Sequence, residues 1–562
     1  MNRQEIIDYY RNNPRVSVLI VGAGVNGIGT FRDLALQGVD VLLVDQNDFC
    51  SGASAASSHM IHGGIRYLEN GEFRLVREAV RERNLLIKNA PHYVKPLPTI
   101  IPIFHRFSGL LNAPLKFLGL LDKPSERGAV VIKIGLMLYD AYSGGAGIVP
   151  KHDFFSKKET QQRFPDIDPD VIHTAKYYDG LLLAPERLCI DLILDGEEAN
   201  AKAHALNYFP VIDSTAGTVR IQDQVTGDFL ELEPRLVINA CGPWIDLTNA
   251  NLGVNSKFIG GTKGSHLIAN NPELRAAIGD NEFFFENADG RIVLISPFED
   301  KVLIGTSEFP IEDPDSAICT DEEIEYFIEM VDIVFPGIPL KREQIVYQFS
   351  GVRPLPANDS SSPGQISRDH KIQVVPSTNQ NPFPIYNLVG GKWTSFRAFS
   401  EEAADKALEE LGLSRKLSTK EIEIGGGRDY PGGPGEIEAW VNNFSKRHGI
   451  SKVRTSALFR RYGTRAAGFI NTNSGLDEAQ LPNIPGFTKQ EIVKIVHVEK
   501  VVHLDDLILR RSHLAKSGNL DNAALVELGG IIGSTLLWSR DQIESDIHRT
   551  KEILKNLHGL IL

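Results

Sequence analysis

The stretch that most constrains this chain lies near its start. There the apolar run V-L-I-V meets G-A-G-V-N-G at residues 18–27, and a second apolar run, V-L-L-V, ends in Asp45. Strand, glycine turn, helix-like segment, strand and terminal carboxylate is the order that a βαβ dinucleotide site requires. Each glycine has its own mechanical part. Gly22 permits the tight turn out of the strand, Gly24 lets the backbone approach a pyrophosphate, and Gly27 lets the helix lie close to the strand. The helix start then aims unpaired N–H groups at the anion, and Asp45 would accept hydrogen bonds from an adenosine ribose. A glycine fingerprint alone recurs by chance in loops, so the flanking strands and the acid carry the reading. Which dinucleotide is bound, and for what reaction, must come from elsewhere in the chain.

At 562 residues the chain exceeds what one core can hold, and a prior of roughly 150 residues per domain predicts two to four units. A net charge of -13 argues against general nucleic-acid binding, and any anionic substrate then needs a local basic cluster working against the overall field. Cys50, Cys189, Cys241 and Cys319 stand far apart with no C-x-x-C pair, so neither a disulfide framework nor a zinc site is indicated, and a reducing cytoplasm fits. The first residues carry charges where a signal peptide needs an apolar core, and no run of eighteen apolar residues occurs. The expectation is a protein neither exported by that route nor spanning a membrane.

After Asp45 comes D-F-C-S-G-A-S-A-A-S-S-H-M-I-H-G-G-I-R-Y-L, dense in small residues and hydroxyls. Its place after a dinucleotide strand is that of a backbone wrapped on a cofactor, with Ser54, Ser57 and Ser58 as candidate contacts. His62, Arg66 and Tyr67 follow as a base candidate, a cation and a hydroxyl. The segment 107–121 is apolar but broken by Gly109, Pro114, Lys116 and Gly119. It suits a core segment or lid, or an interfacial segment resting on a membrane. At 236–244, L-V-I-N-A-C-G-P-W is another apolar strand with a glycine exit, which would make the dinucleotide domain discontinuous. Strand-like pieces from 260 to 309 suit a separate sheet-based substrate domain. Early in the last third, I-Y-N-L-V-G-G-K-W-T repeats the opening logic: a strand ends at Gly390 and Gly391, and a helix start near Thr394 stabilises negative charge. Beyond the glycine-rich linker at 424–435 the chain reads mostly as amphipathic helices.

With these pieces assembled, the sequence resembles the FAD-dependent glycerol-3-phosphate dehydrogenase family, including its oxidase relatives. The motifs run along nearly the whole chain: V-G-A-G-V-N-G-I-G-T-F-R-D-L-A at 21–35, S-S-H-M-I-H-G-G-I-R-Y-L at 57–68, E-F-R-L-V-R-E-A at 72–79, N-A-C-G-P-W at 239–244 and T-K-G-S-H at 262–266. S-G-V-R-P-L at 350–355, G-G-K-W-T at 390–394, R-R-Y-G at 460–463 and D-D-L-I-L-R-R at 505–511 continue it. The resemblance implies an α/β fold: a doubly wound, Rossmann-like FAD domain, an antiparallel β-sheet substrate domain and a C-terminal helical domain. The expected boundaries are 1–90, 170–250 and 345–420 for the FAD domain, 91–169 and 251–344 for the substrate domain, and 436–562 for the helical one. It implies oxidation of sn-glycerol 3-phosphate to dihydroxyacetone phosphate, with electrons passed to a membrane quinone or, in the oxidases, to oxygen. Peripheral attachment to the inner face of the cytoplasmic membrane and a possible homodimer come with it. Four positions depart from the family's usual residues. Asp45 stands for Glu, His59 for Lys, Ala184-Pro185-Glu186 for a segment with an aspartate pair, and G-T-S-E at 305–308 for G-T-T-D.

The reaction needs cations for a phosphate dianion and a base for the hydroxyl proton as the C2 hydrogen leaves as hydride. The family's phosphate positions fall on Arg353 and Arg368, whose planar forks bind two oxygens at once. Arg66 and Tyr67 resemble further substrate contacts, and Lys392 could reach both substrate phosphate and flavin. Gly391, Lys392 and Thr394 fall at the flavin edge, and Lys263 at the flavin region. For the base, His62 is the first candidate, because an imidazole is poised for proton transfer near neutral pH, with His266 as its rival. Arg353 could also stabilise the developing alkoxide. An amine or amino-acid oxidase shares the glycine fingerprint but needs no phosphate cluster, and a silent FAD-binding scaffold needs no base.

Overall fold

The computed structural model describes residues 1–65, 72–105, 129–143, 148–287, 291–357, 369–379, 381–470 and 479–562. Arg66, Tyr67, Arg368 and the apolar segment 107–121 lie outside these residues.

The V-L-I-V run becomes the strand Arg15–Val21, buried along almost its whole length, as a central strand covered on both faces must be. It pairs in parallel with Val41–Val44 on one side and with Phe229–Asn239 on the other. The sheet continues to Ala203–Leu206 beyond Val41–Val44, and to Ile385–Val389 and then Lys371–Val375 beyond Phe229–Asn239. Strands from three separated stretches therefore build one doubly wound sheet. One apolar core fills the side carrying the helices Val25–Leu36, Pro185–Ala199 and Phe396–Leu411, and a second lies under the N-terminal helix Arg3–Asn12.

A ten-stranded second sheet stands beside the first. Its longest pairings are Ile259–Ala269 with Ile345–Pro356 and Val94–Ile103 with His173–Leu182, both antiparallel. One contact, Glu282–Glu286 on Val94–Ile103, is parallel. Two stretches expected in the FAD domain, His173–Leu182 and Ile345–Pro356, are strands of this second sheet. Both are long enough to complete a neighbour's hydrogen-bond ladder, and that ladder, not the position of the stretch between two domains in sequence, decides sheet membership. The chain first enters the second sheet through a two-residue strand, Met60–Ile61, paired with Leu181 and Gly180. His62 follows at once, at the seam between the sheets.

From residue 434 on the described residues are mostly helices, from Pro434–His448 to Arg540–His558, with one small antiparallel pair, Gln480–Leu481 on Ile484–Thr488. Their core is shared with the second sheet: Ile268, Leu294, Leu303, Tyr347 and Phe349 sit in one cluster with Leu458, Ile495, Leu525 and Ile532.

Candidate active site

The site forms where two glycine turns meet. Gly22 takes φ +101°, and a Cβ there would lie 2.7 Å from the Ala240 carbonyl. A Cβ on Gly27 would fall 1.9 Å from the Gly22 carbonyl oxygen, so the helix can approach its own strand only with glycine at that position. Gly24 caps the helix without a side chain of its own, and the Ser54 hydroxyl accepts the Val25 N–H at 2.9 Å. Asp45 accepts the Ala23 N–H on one carboxylate oxygen at 2.6 Å and the Asn47 N–H on the other at 2.8 Å. Each oxygen keeps a lone pair for a further donor. Burial pushes this carboxyl up to about 6 against those two backbone donors.

The second turn lies against the first. Gly391 takes φ +98°, and a Cβ there would meet the Asn26 amide nitrogen at 2.4 Å. Asn26 in turn donates to the Gly390 carbonyl at 3.3 Å. The helix expected near Thr394 begins at Phe396, with neither a side-chain cap nor an acid in its first turn, which leaves its positive end open to an anion. Thr394 sits in the turn and donates its hydroxyl to the His62 carbonyl at 3.2 Å, and Trp393 donates to the Ser54 carbonyl at 3.0 Å. Lys392 lies in the same turn, half-buried. Two helix N-termini and the serine loop thus enclose a glycine-lined cradle that fits an extended dinucleotide with a pyrophosphate at one end and an anionic ring at the other.

The second sheet closes the site. Along Ile259–Ala269 the side chains alternate, so Thr262, Gly264 and His266 share one face with Arg353, Gly351 and Phe349 of the paired strand. This face meets the serine loop: a Cβ on Gly351 would lie 2.5 Å from the Ala56 methyl, and Ser58 hydrogen-bonds the His266 Nε2 at 2.8 Å. Arg353 donates to the Thr306 hydroxyl at 3.0 Å and lies across Gly264, where a Cβ would stand 2.6 Å from the guanidinium. His266 is buried and stacked on Phe349, and burial together with Arg353 and Lys516 brings its imidazole down to about 3. Ser57 accepts the His59 N–H at 3.3 Å within the loop.

Lys263 stands on the opposite face of its strand from His266: its ammonium donates to Glu323 and to the Ile318 carbonyl, each at 2.7 Å. The reason is strand alternation, since residues 263 and 266 are an odd number apart. The departures from the family pattern also find partners. His59 is buried, with its Nδ1 on the Leu182 carbonyl at 2.8 Å and its ring edge-on to Phe298. Burial, then Lys516, hold its imidazole well below the usual range. Glu186 forms a buried ion pair with the same Lys516, which arrives from the C-terminal helices. An ammonium therefore does stand near position 59, supplied from a distant part of the chain.

Sequence reading gave no role to Asp48, Asp179, Arg83 or Tyr139. Asp48 is held by both Arg510 and Arg511 of the D-D-L-I-L-R-R motif, three residues beyond Asp45. Asp179 accepts the Gly63 N–H at 2.8 Å, the Tyr139 hydroxyl at 2.6 Å and Arg83 at 3.2 Å. The motif containing Arg510 and the Y-Y-D-G run containing Asp179 were visible, but nothing in one sequence joins them to the site.

A family model described as FAD dependent oxidoreductase matches residues 17–379, and one described as the C-terminal domain of alpha-glycerophosphate oxidase matches residues 417–543. The chain is 32% identical to a glycerol-3-phosphate dehydrogenase of Synechocystis, covering 97% of each chain. It is 28% identical to a D-erythritol 1-phosphate dehydrogenase of Brucella abortus, covering 91% of this chain and 97% of that one. The fold matches the X-ray structure of the glycerol-3-phosphate dehydrogenase from Bacillus halodurans complexed with FAD, with a TM-score of 0.74 at 20% identity over 99% and 97% of the two chains. Cradle, sheet order and family model together define an FAD-dependent oxidoreductase. Within that class the chain belongs to the FAD-dependent glycerol-3-phosphate dehydrogenase family.

Proposed function

We propose that the chain oxidises sn-glycerol 3-phosphate to dihydroxyacetone phosphate and passes the electrons to a membrane quinone. The observation that carries this reading is Arg353 on the loop-facing side of the second sheet, its guanidinium steadied by Thr306 above a glycine that leaves it room. A dianionic phosphate in a protein of net charge -13 needs such a built cation.

Held by the cradle, FAD would supply the two-electron acceptor at flavin N5. The chain's own residues do the rest. Arg353 and Arg368 take the phosphate, Arg66 and Tyr67 orient the glycerol, and Lys392 with the helix start at Phe396 favours negative charge on the ring. Gly22, Gly24, Gly27, Asp45, Ser54, Ser57, Ser58, Gly391 and Thr394 hold the cofactor. His62 takes the hydroxyl proton. His266 is the weaker base because an imidazole near 3 holds a proton poorly at neutral pH, so its part is to orient Ser58 and wall the pocket.

Anaerobic mixing of the holoenzyme with glycerol 3-phosphate, erythritol phosphate and unphosphorylated glycerol tests the reading. Flavin bleaching by glycerol 3-phosphate first and by glycerol last is expected, and no bleaching by any phosphorylated polyol ends it. A second reading, with oxygen as acceptor, draws on the match of the tail to a domain named for an oxidase. Stoichiometric peroxide in air decides for oxygen, and faster reoxidation by quinone decides for the dehydrogenase. No helix among the described residues is long and apolar enough to cross a membrane. Attachment to the inner face of the membrane is therefore proposed as peripheral, and co-sedimentation with anionic vesicles tests it. A homodimer is tested by sedimentation.

A further inference from the structure

The peptide joining His62 to Gly63 is gripped at both ends by different parts of the molecule. Its carbonyl accepts the Thr394 hydroxyl at 3.2 Å from the glycine turn of the first sheet, and its N–H donates to Asp179 at 2.8 Å on the second. A peptide is a rigid plane, so fixing its two polar groups fixes ψ of His62 and φ of Gly63 together. Upstream, Met60 and Ile61 are paired to Leu181 and Gly180, and downstream Gly64 takes φ +79°.

Asp179 is itself held. Tyr139 donates to it at 2.6 Å, and Arg83 donates to both the Tyr139 hydroxyl at 2.6 Å and Asp179 at 3.2 Å. All three side chains are buried. A Cβ at position 63 would fall 1.9 Å from the Tyr139 hydroxyl, so this phenol occupies the space that glycine leaves. A carboxylate, a phenol and a guanidinium closed off from solvent behind a turn meet no substrate. Through Asp179 they reach that turn at the Gly63 N–H.

We infer that Asp179, braced by Tyr139 and Arg83, is a positioning residue that fixes the His62–Gly63 peptide and so aims the His62 imidazole at the substrate hydroxyl. The inference rests on His62 being the base. Low-dielectric burial strengthens each of these bonds, and a base misplaced by a fraction of an ångström loses much of its effect.

The test uses purified holoenzyme with Asp179→Ala, Asp179→Asn, Tyr139→Phe or His62→Gln, mixed anaerobically with glycerol 3-phosphate while flavin bleaching is followed. Asp179→Ala is expected to slow bleaching about 100-fold, with FAD retained and half-saturation changed by less than about 3-fold, because the phosphate grip is separate. Asp179→Asn, whose amide oxygen still accepts the Gly63 N–H, is expected to recover to within about 10-fold of the native rate. Because Asp179 acts through His62, adding Asp179→Ala to His62→Gln is expected to cost nothing more. Native bleaching by Asp179→Ala while His62→Gln is slow, or losses that multiply in the double variant, overturn the inference and leave the base assignment standing. Native bleaching by His62→Gln removes the base assignment and the inference with it. Should Asp179→Ala fail to fold, Tyr139→Phe combined with Thr394→Val loosens both grips, and a native rate in that variant overturns the inference.

Discussion

Single residues here act by leaving room as much as by making bonds. Gly264 carries no chemistry, yet a methyl there would stand 2.6 Å from the Arg353 guanidinium. The atoms met are the far end of a flexible side chain, so the arginine yields before the strand does. Gly264→Ala is expected to raise KM for glycerol 3-phosphate about 10-fold, the loss of one charge-assisted bond, while Tm falls by no more than a few degrees. Steady-state kinetics beside a thermal melt checks this, and an unchanged KM would mean that Arg353 does not grip the phosphate.

At the scale of the element, two buried acids behave in opposite ways. Glu282 begins a strand of the second sheet as a fully buried acid, and burial, then Asp179, push it up to about 8. A folded pKa above the unfolded value means stability that is full below about 4.5 and is lost as pH rises through about 8. Asp179, Tyr177 and Ser296 are the groups interacting with it, and Arg83 is the cation beside Asp179. Glu282→Gln removes the titration, so the variant is expected to be more stable by on the order of 3 kcal/mol at pH 7. The gap should close toward pH 4.5, and denaturant melts along that range decide it, with parallel curves the contrary outcome.

Asp48 is the contrary case. Burial would raise its carboxyl, but Arg511 and Arg510 overcome this and hold it well below the ordinary range, so its contribution is present at neutral pH and lost as pH falls. Asp48→Asn takes from buried Arg511 its close countercharge, while Arg510 keeps Asp505 and Asp506, and is expected to cost about 3–5 kcal/mol. Because the Asp48 loop follows Asp45, FAD affinity should drop in parallel. Flavin release measured by fluorescence in the folded variant tests the link, and unaltered retention would confine Asp48 to stability.

At the scale of the whole molecule, the C-terminal helices are built into the other units. They share an apolar core with the second sheet and send Arg510, Arg511 and Lys516 into buried ion pairs with Asp48 and Glu186. A unit whose apolar core is shared with its neighbour cannot lose that core alone. Holoenzyme is therefore expected to show one transition, with far-UV circular dichroism and flavin fluorescence coinciding along a urea series. A tail that melts at lower urea while flavin stays bound would contradict it.

Much of this was legible in the chain itself. The glycine turns at Gly22 and Gly391, the acid at Asp45 and the order of strands around them follow from local rules: φ beyond the reach of a side chain, a helix start that seeks an anion, an apolar run fit for a central strand. The opposite facing of Lys263 and His266 is likewise local, since a strand cannot turn residues 263 and 266 to one face. What only the tertiary structure decided is which distant side chains stand behind these turns. Asp179 behind Gly63, Lys516 beside His59 and Arg511 on Asp48 are joined across 116, 457 and 463 positions, taken as differences of their residue numbers. No local periodicity encodes such pairs, because they are selected by the shape of the folded core and by the cost of burying a charge without its partner.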